Sequence, residues 1–193
     1  MLIDRYLPQC DVSLEFETTV NAPADEVYRA IREADLRDPV ISALFALREL
    51  PQRLARRLHG QAPPPAPPKL TFGTMIQDGP GWTPLAEQPG RELVVGSVGR
   101  FWERDYGGRA VTAEQFLAFN EPGYAKLTIG FSVRPGPVGE TILRYEARTL
   151  TTDETAQRRF RRYWRLIRPG VSLVMRAALH RIRLAAERQR AAA

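Results

Sequence analysis

The 193-residue sequence predicts an α+β fold in which a long C-terminal helix closes over a curved antiparallel sheet. Residues 13–20 alternate between apolar and polar side chains, as a half-buried antiparallel strand does. Residues 70–150 continue as short apolar segments separated by glycine and proline turns. Residues 153–188 then carry one amphipathic helical stripe. Together these three observations indicate the fold class.

Two or three short helices are predicted after the first strand. The first follows Pro23, where acidic residues precede apolar residues at helical spacing. The second begins at Asp38 and Pro39, which suit an N-cap and a first turn, and a further short helix ends at Gly60. Residues 61–68 contain five prolines and predict an extended, semi-rigid connector.

The central part of the chain is interpreted as a meander of antiparallel strands. The predicted strands cover residues 70–76, 82–86, 92–102, 124–133 and 140–150. Gly96 and Gly99 lie inside one of them, which indicates a sharp bend. Thr112 and Gln115 have the spacing of a capping box, so a short helix carrying Phe116 is predicted between strands.

The last helix is predicted from Thr152 and Asp153, which offer an N-cap, to about residue 188. Its apolar stripe keeps its phase across Pro169, which favours one helix kinked at that proline, although two helices meeting there would also fit. The stripe consists of Ala156, Phe160, Tyr163, Trp164, Ile167, Val171, Val174, Ala178, Ile182 and Ala185.

This order of elements resembles the helix-grip fold of the START-related superfamily (SRPBCC), which includes plant pollen allergens, lipid-transfer domains and polyketide cyclases. The chain looks most like bacterial members of this group that have no assigned activity. The resemblance is carried by residues 20–27, 92–102, 116–126 and 160–169. It implies an N-terminal tail at 1–11, one helix-grip domain at 12–190 that includes the connector at 61–68, and a C-terminal tail at 191–193.

In this superfamily the sheet and the final helix enclose an apolar cavity. The resemblance therefore implies a module that binds an apolar small molecule, lipid-like or polycyclic, with a cyclase or dehydratase as the alternative. The alternative for the lining residues themselves is that they fill a solid core. The cavity candidates are Phe16, Phe72, Phe101, Leu127, Ile129, Phe131, Tyr145, Phe160, Trp164 and Ile167.

No catalytic residue, metal ligand or cofactor motif is predicted. His59, His180 and Cys10 are far apart in the sequence, and no metal-ligand or phosphate-loop spacing occurs. Glu146 and Arg148 lie on the polar side of a strand, where they suit a surface ion pair or a polar anchor at a cavity mouth. If the chain is a cyclase, polar groups should face the cavity, and Tyr145, Thr141 and Thr149 share the inward side of one strand.

The positive charge is concentrated at the end of the chain. Residues 1–152 hold 17 basic and 19 acidic side chains, whereas residues 153–193 hold 11 and 3. Binding to nucleic acid or to an anionic membrane is the third hypothesis. We expect no nucleic-acid partner, because the arginines lie opposite an apolar stripe, as in a helix packed on a sheet.

Two further observations concern the location of the protein. The single Cys10 cannot form an internal disulfide, which suits a reducing cytoplasm. No uncharged apolar run approaches the length of about 20 residues that crosses a bilayer, so no transmembrane segment is predicted. The sequence does not predict an oligomeric state.

Overall fold

The computed structural model describes residues 1–37, 71–78, 81–103 and 105–191. The helices predicted between Asp38 and Gly60, and the connector at 61–68, lie outside these ranges. The helices are α1 (Leu2–Tyr6), α2 (Ala24–Glu33), α3 (Phe72–Asp78), α4 (Ala113–Ala118) and α5 (Glu154–Ala191), with a 3-10 turn at Pro137–Gly139. The strands are β1 (Val12–Val20), β2 (Thr83–Gln88), β3 (Glu92–Gly99), β4 (Ala125–Pro135) and β5 (Thr141–Thr151).

The five strands form one sheet in the order β1-β5-β4-β3-β2, and every neighbouring pair is antiparallel. Side chains alternate between two faces, as the pleat requires. The face on which α2, α3 and α5 pack is called the inner face, and α1 and α4 pack on the outer face. This sheet packed against a long C-terminal helix confirms the predicted fold class.

Helix α5 is continuous over 38 residues and contains Pro169 in its interior. The prediction of one helix is therefore confirmed, and two separate helices are excluded. Its N-terminus is capped by Asp153, whose Oδ1 accepts hydrogen bonds from the backbone N–H of Thr155 at 2.7 Å and of Ala156 at 2.9 Å. Backbone hydrogen bonds from Ala156 and from Gly123 hold the pKa of the Asp153 carboxyl below its usual range.

The predicted strand at 70–76 is wrong, because the structure has helix α3 there. Phe72 and Ile76 are both buried and stand four residues apart, which is helical spacing. The Thr74 N–H donates to Thr71 Oγ1 at 3.0 Å, and the Thr71 N–H donates to Thr74 Oγ1 at 3.2 Å. This reciprocal pair closes the N-terminus of α3 in the manner of a capping box.

Strand β3 is shorter than predicted and ends at Gly99 instead of residue 102. A Cβ at Gly99 would lie 2.9 Å from the carbonyl oxygen of Tyr106, where the chain turns back. The Arg100 N–H donates to that same oxygen at 2.6 Å. Phe101 and Trp102 consequently lie in a turn.

Residues 1–11, predicted to be a tail, contain helix α1, which packs on the outer face. Ile3 and Leu7 are fully buried. Ile3 lies beside Gly130, where an added Cβ would come within 3.1 Å of the Ile3 Cδ1 atom. The amphipathic spacing of Ile3, Tyr6 and Leu7 is the sequence signal that the tail prediction overlooked.

Candidate functional site

The inner face carries rows of residues that lie side by side on neighbouring strands. One row consists of Leu93, Phe131, Tyr145 and Phe16, and the next consists of Val95, Ile129, Ala147 and Leu14. A third row, nearest the end of β3, consists of Ser97, Leu127, Thr149 and Val12. The first two rows are mostly buried, whereas in the third only Thr149 is. The third row is therefore the more open part of this face.

Three of the predicted cavity residues pack directly on one another. The Phe72 ring meets the Phe131 ring edge-on at 4.7 Å and the Tyr145 ring at 6.0 Å, and the Phe131 and Tyr145 rings are 4.4 Å apart. All three side chains are buried. Helix α3 thus covers the row that contains Phe131 and Tyr145.

Over its middle section, helix α5 faces the sheet without being fully buried. Phe160 is 2% exposed and Met175 is 1% exposed, yet no residue from 161 to 174 is buried. The apolar stripe nevertheless continues through this section, with Trp164, Ile167 and Val171 half-buried. Taken as a whole, α5 lies closest to β1 and β5.

An aromatic cluster stands at the N-terminal end of this section. The Phe160 and Trp164 rings stack with centroids 5.9 Å apart, and Trp102 meets Phe160 edge-on at 6.4 Å. The Trp102 Nε1 atom is buried, and no described residue accepts its hydrogen bond. Phe101, by contrast, packs against Tyr106 at 6.3 Å.

The ten predicted cavity residues therefore fall into groups. Phe16, Ile129, Phe131 and Tyr145 share the inner face with Leu127, and Phe72 covers two of them. Phe160, Trp164 and Ile167 lie on α5, and Phe101 stands apart in the turn after β3. Two residues that were not predicted also lie here: Ser97 is beside Leu127, and Trp102 packs on Phe160. The register of Ser97 follows from the strand alternation. The pair Gly107-Gly108 indicated a turn, but not that the strand would end before Trp102.

Glu146 and Arg148 lie on the outer face, away from α5. Arg148 Nε donates to Glu146 Oε1 at 2.5 Å, Nη1 donates to the Leu7 carbonyl at 2.9 Å, and Nη2 pairs with Asp4 Oδ1 at 2.8 Å. The arginine therefore holds α1 against the sheet. An anchor at the mouth of an inner-face cavity is excluded by this position.

Among the polar groups of the inner face, Thr141 has a structural partner, because its hydroxyl donates to the Ala22 carbonyl at 2.7 Å. Tyr145 is different: no described residue hydrogen-bonds its hydroxyl, and burial raises its pKa well above the ordinary range. A phenol with a raised pKa stays protonated at neutral pH. It can donate a hydrogen bond to a bound molecule, but it cannot serve as a general base.

His180 and Cys10 are both exposed, and His59 lies outside the described residues. Within the described ranges, no three histidine, cysteine or acidic side chains converge to hold a metal ion. In the same ranges, no helix is long and apolar enough to cross a membrane.

A separate open cleft of about 830 Å³ lies near the C-terminal end of α5. Its described lining comes from residues on and beside α2, α3 and α5, with Arg32, Glu33, Asp35, Arg188 and Gln189 contributing charge or amide groups.

Solved structures that superpose on the chain include protein MLL2253 from Mesorhizobium loti, with 15% identity and a TM-score of 0.38 over 92% of this chain and 98% of that one. The Zhui aromatase/cyclase from a Streptomyces species has 14% identity and a TM-score of 0.32, over 92% and 94% of the two chains. CalU16 from Micromonospora echinospora has 16% identity and a TM-score of 0.29, over 93% of this chain and 86% of that one.

The structural neighbours thus include a protein that is named an aromatase/cyclase. The chain matches no protein-family model and no curated protein. Because the identities and TM-scores are low, the superpositions carry no argument about function. The fold assignment depends on the strand order and on the placement of α5.

Proposed function

We propose that the protein binds an apolar small molecule between the inner face of β3–β5 and residues 160–167 of α5. The observation that carries the proposal is the half-buried state of apolar side chains on the inner face of the sheet and on the packed side of α5. Leu127 on the sheet and Trp164 and Ile167 on the helix are all only half-buried, although the adjoining Phe160 is buried. Filling such a space with a ligand removes apolar surface from water.

The chemistry of the surroundings narrows the ligand class. Stacked rings at Phe160 and Trp164 offer flat apolar surfaces, which suit a planar or polycyclic molecule. The Trp102 indole N–H is buried without an acceptor among the described residues. A carbonyl or hydroxyl oxygen on the ligand would satisfy that donor. We therefore favour an apolar molecule that carries at least one hydrogen-bond acceptor.

Native mass spectrometry of the purified full-length protein tests this proposal. We expect an adduct of a lipid-like or polycyclic molecule that disappears under denaturing conditions and is recovered in an organic extract. A Trp102→Phe variant keeps the aromatic packing but removes the donor, so it should retain less of a ligand that carries an acceptor. Absence of any adduct, together with no binding of the apolar dye Nile red, would overturn the proposal.

A cyclase or dehydratase acting in the same space is the second candidate. It is favoured by the Tyr145 hydroxyl on the inner face, which has no hydrogen-bond partner among the described residues and can donate a hydrogen bond to a substrate carbonyl. Enzymes of this kind accelerate reactions largely by holding a reactive chain in one folded shape.

For this candidate, Tyr145→Phe removes one oxygen and leaves the ring packing in place. With a polyketide-like substrate, we expect turnover to fall on the order of a hundredfold, the typical loss on removing one oxyanion donor. Thr141→Val is the control variant. The Thr141 hydroxyl already donates to the Ala22 carbonyl, so removing it should lower stability without changing turnover. Unchanged turnover in Tyr145→Phe would contradict a catalytic role for this hydroxyl.

A further inference from the structure

The solvent-facing side of α5 exposes two large apolar side chains. Leu166 is 81% exposed, the most of any large apolar side chain among the described residues, and Leu173 is 51% exposed. They stand seven residues apart, which places them about 20° from each other around the helix and about 10 Å apart along its axis. They therefore point in the same direction from the molecule. Neither belongs to the stripe that packs on the sheet.

These leucines lie within a strongly positive section of the helix. Residues 155–186 contain nine arginines and no acidic residue. Arg162, Arg165 and Arg168 are exposed, and none of them forms an ion pair with any described residue. The sheet surface differs, because Arg134 pairs with Glu17 at 3.2 Å and Arg144 pairs with Glu15 at 2.5 Å. The protein balances these arginines on the sheet, and Arg158 and Arg183 of α5 pair with Glu154 and Glu187, but Arg162, Arg165 and Arg168 are left unbalanced among the described residues.

The exposed leucines and the unpaired arginines together indicate which kind of partner surface α5 could bind. A second copy of the chain seated on the same face would bring two sets of unbalanced arginines together, which like-charge repulsion opposes. A nucleic acid would engage the arginines but would leave Leu166 and Leu173 in water. An anionic lipid bilayer satisfies both features, because its phosphates pair with arginine and its acyl region accepts leucine.

We propose that the outward face of α5, defined by Leu166, Leu173 and the arginines Arg162 and Arg165, docks the protein reversibly on an anionic membrane surface. The helix would lie along the surface, with the two leucines inserted and the arginines at the level of the headgroups. This inference does not depend on the identity of any ligand or on the presence of one. If the proposed function also holds, docking brings the opening beside residues 160–167 close to the lipid.

Co-sedimentation of the full-length protein with lipid vesicles tests the proposal. We expect binding to vesicles of equal parts phosphatidylglycerol and phosphatidylcholine, but not to phosphatidylcholine alone. High salt should weaken this binding, because exposed charges are screened over about 10 Å at 0.1 M. Changing both Leu166 and Leu173 to Gln should lower the vesicle affinity by on the order of tenfold or more. Changing Arg162 and Arg165 to Gln should reduce the preference for the anionic vesicles.

Leu117→Gln is the matched control, because Leu117 is 43% exposed but lies in α4 on the outer face. It should bind vesicles like the wild type. The proposal is overturned if the wild type ignores anionic vesicles, or if the double leucine variant binds them as well as the wild type does. It is also overturned if a DNA duplex binds more tightly than the vesicles and is insensitive to the leucine changes, which would indicate a nucleic-acid surface. Thermal unfolding of every variant should match the wild type, since all the altered side chains are exposed.

Discussion

Arg148 shows how one side chain can determine the position of a whole element. Its guanidinium bonds Glu146 in the sheet, Asp4 in the middle of α1 and the carbonyl of Leu7, which directly follows α1. Glu146 is 4% exposed, so its charge depends on arginine neighbours for compensation. Arg144 supplies a second contact with the same carboxylate at 2.9 Å. The group is a structural network of the outer face.

Replacing Arg148 with Ala should therefore lower the free energy of unfolding by about 2 kcal/mol, because Glu146 keeps only part of its compensation. Affinity for an apolar ligand should not change, since the inner face is untouched. Urea unfolding and a ligand titration measure the two quantities separately. Arg134→Ala, at an exposed pair with Glu17, should change stability by no more than about 0.5 kcal/mol. A loss of affinity without a loss of stability would contradict this assignment.

At the residue scale, the sequence predicted the faces of the strands well but not what each face meets. Leu14, Phe16, Ile129 and Tyr145 lie on the inner face, as the alternation required. The same pattern could not reveal that α1 would meet the polar side of β5. Gly96 was expected to relieve a bend. Instead, a Cβ there would lie 2.7 Å from Leu85 Cδ1 and 2.8 Å from Phe116 Cε2, so the glycine allows close packing on the outer face.

At the element scale, elements with strong local signals were predicted correctly. The capping box at Thr112 and Gln115 is present, and α5 begins directly after Asp153. Helix α3 was missed because Leu70, Phe72 and Ile76 also fit a period of two, and a short apolar segment cannot be assigned by periodicity alone. Helix α1 has only five residues, so its formation depends on burial against the sheet.

Deleting residues 1–7 tests the assignment of α1 as part of the folded unit. The deletion removes the buried Ile3 and Leu7 and the Arg148 partners Asp4 and Leu7. We expect a loss of about 3 kcal/mol or more in the free energy of unfolding, measured with urea. Deleting residues 191–193, also predicted to be a tail, is the comparison and should have little effect. Equal stability of both truncated proteins and the wild type would contradict the role of α1.

At the scale of the whole molecule, the two sides of α5 differ in burial and in charge. One side packs on the sheet and leaves a half-buried section between Phe160 and Met175, and the other side exposes leucines and unbalanced arginines. The sequence predicted the amphipathic helix, with its apolar stripe and its arginines on opposite sides. It could not decide between a cavity and a filled core, because that depends on the separation between α5 and the sheet. Separation is a property of the assembled fold, which no local pattern encodes.

If apolar space exists beside Leu127, a larger side chain at this position should occupy it. Nile red should be titrated into the wild type, Leu127→Trp and the control Leu117→Trp, with thermal unfolding of each. If the space exists, Leu127→Trp should fold normally but bind the dye at least about tenfold more weakly, while the control behaves as the wild type does. A filled core would give the opposite result, in which Leu127→Trp loses about 1–3 kcal/mol of stability from overpacking and dye binding, if any, is unchanged.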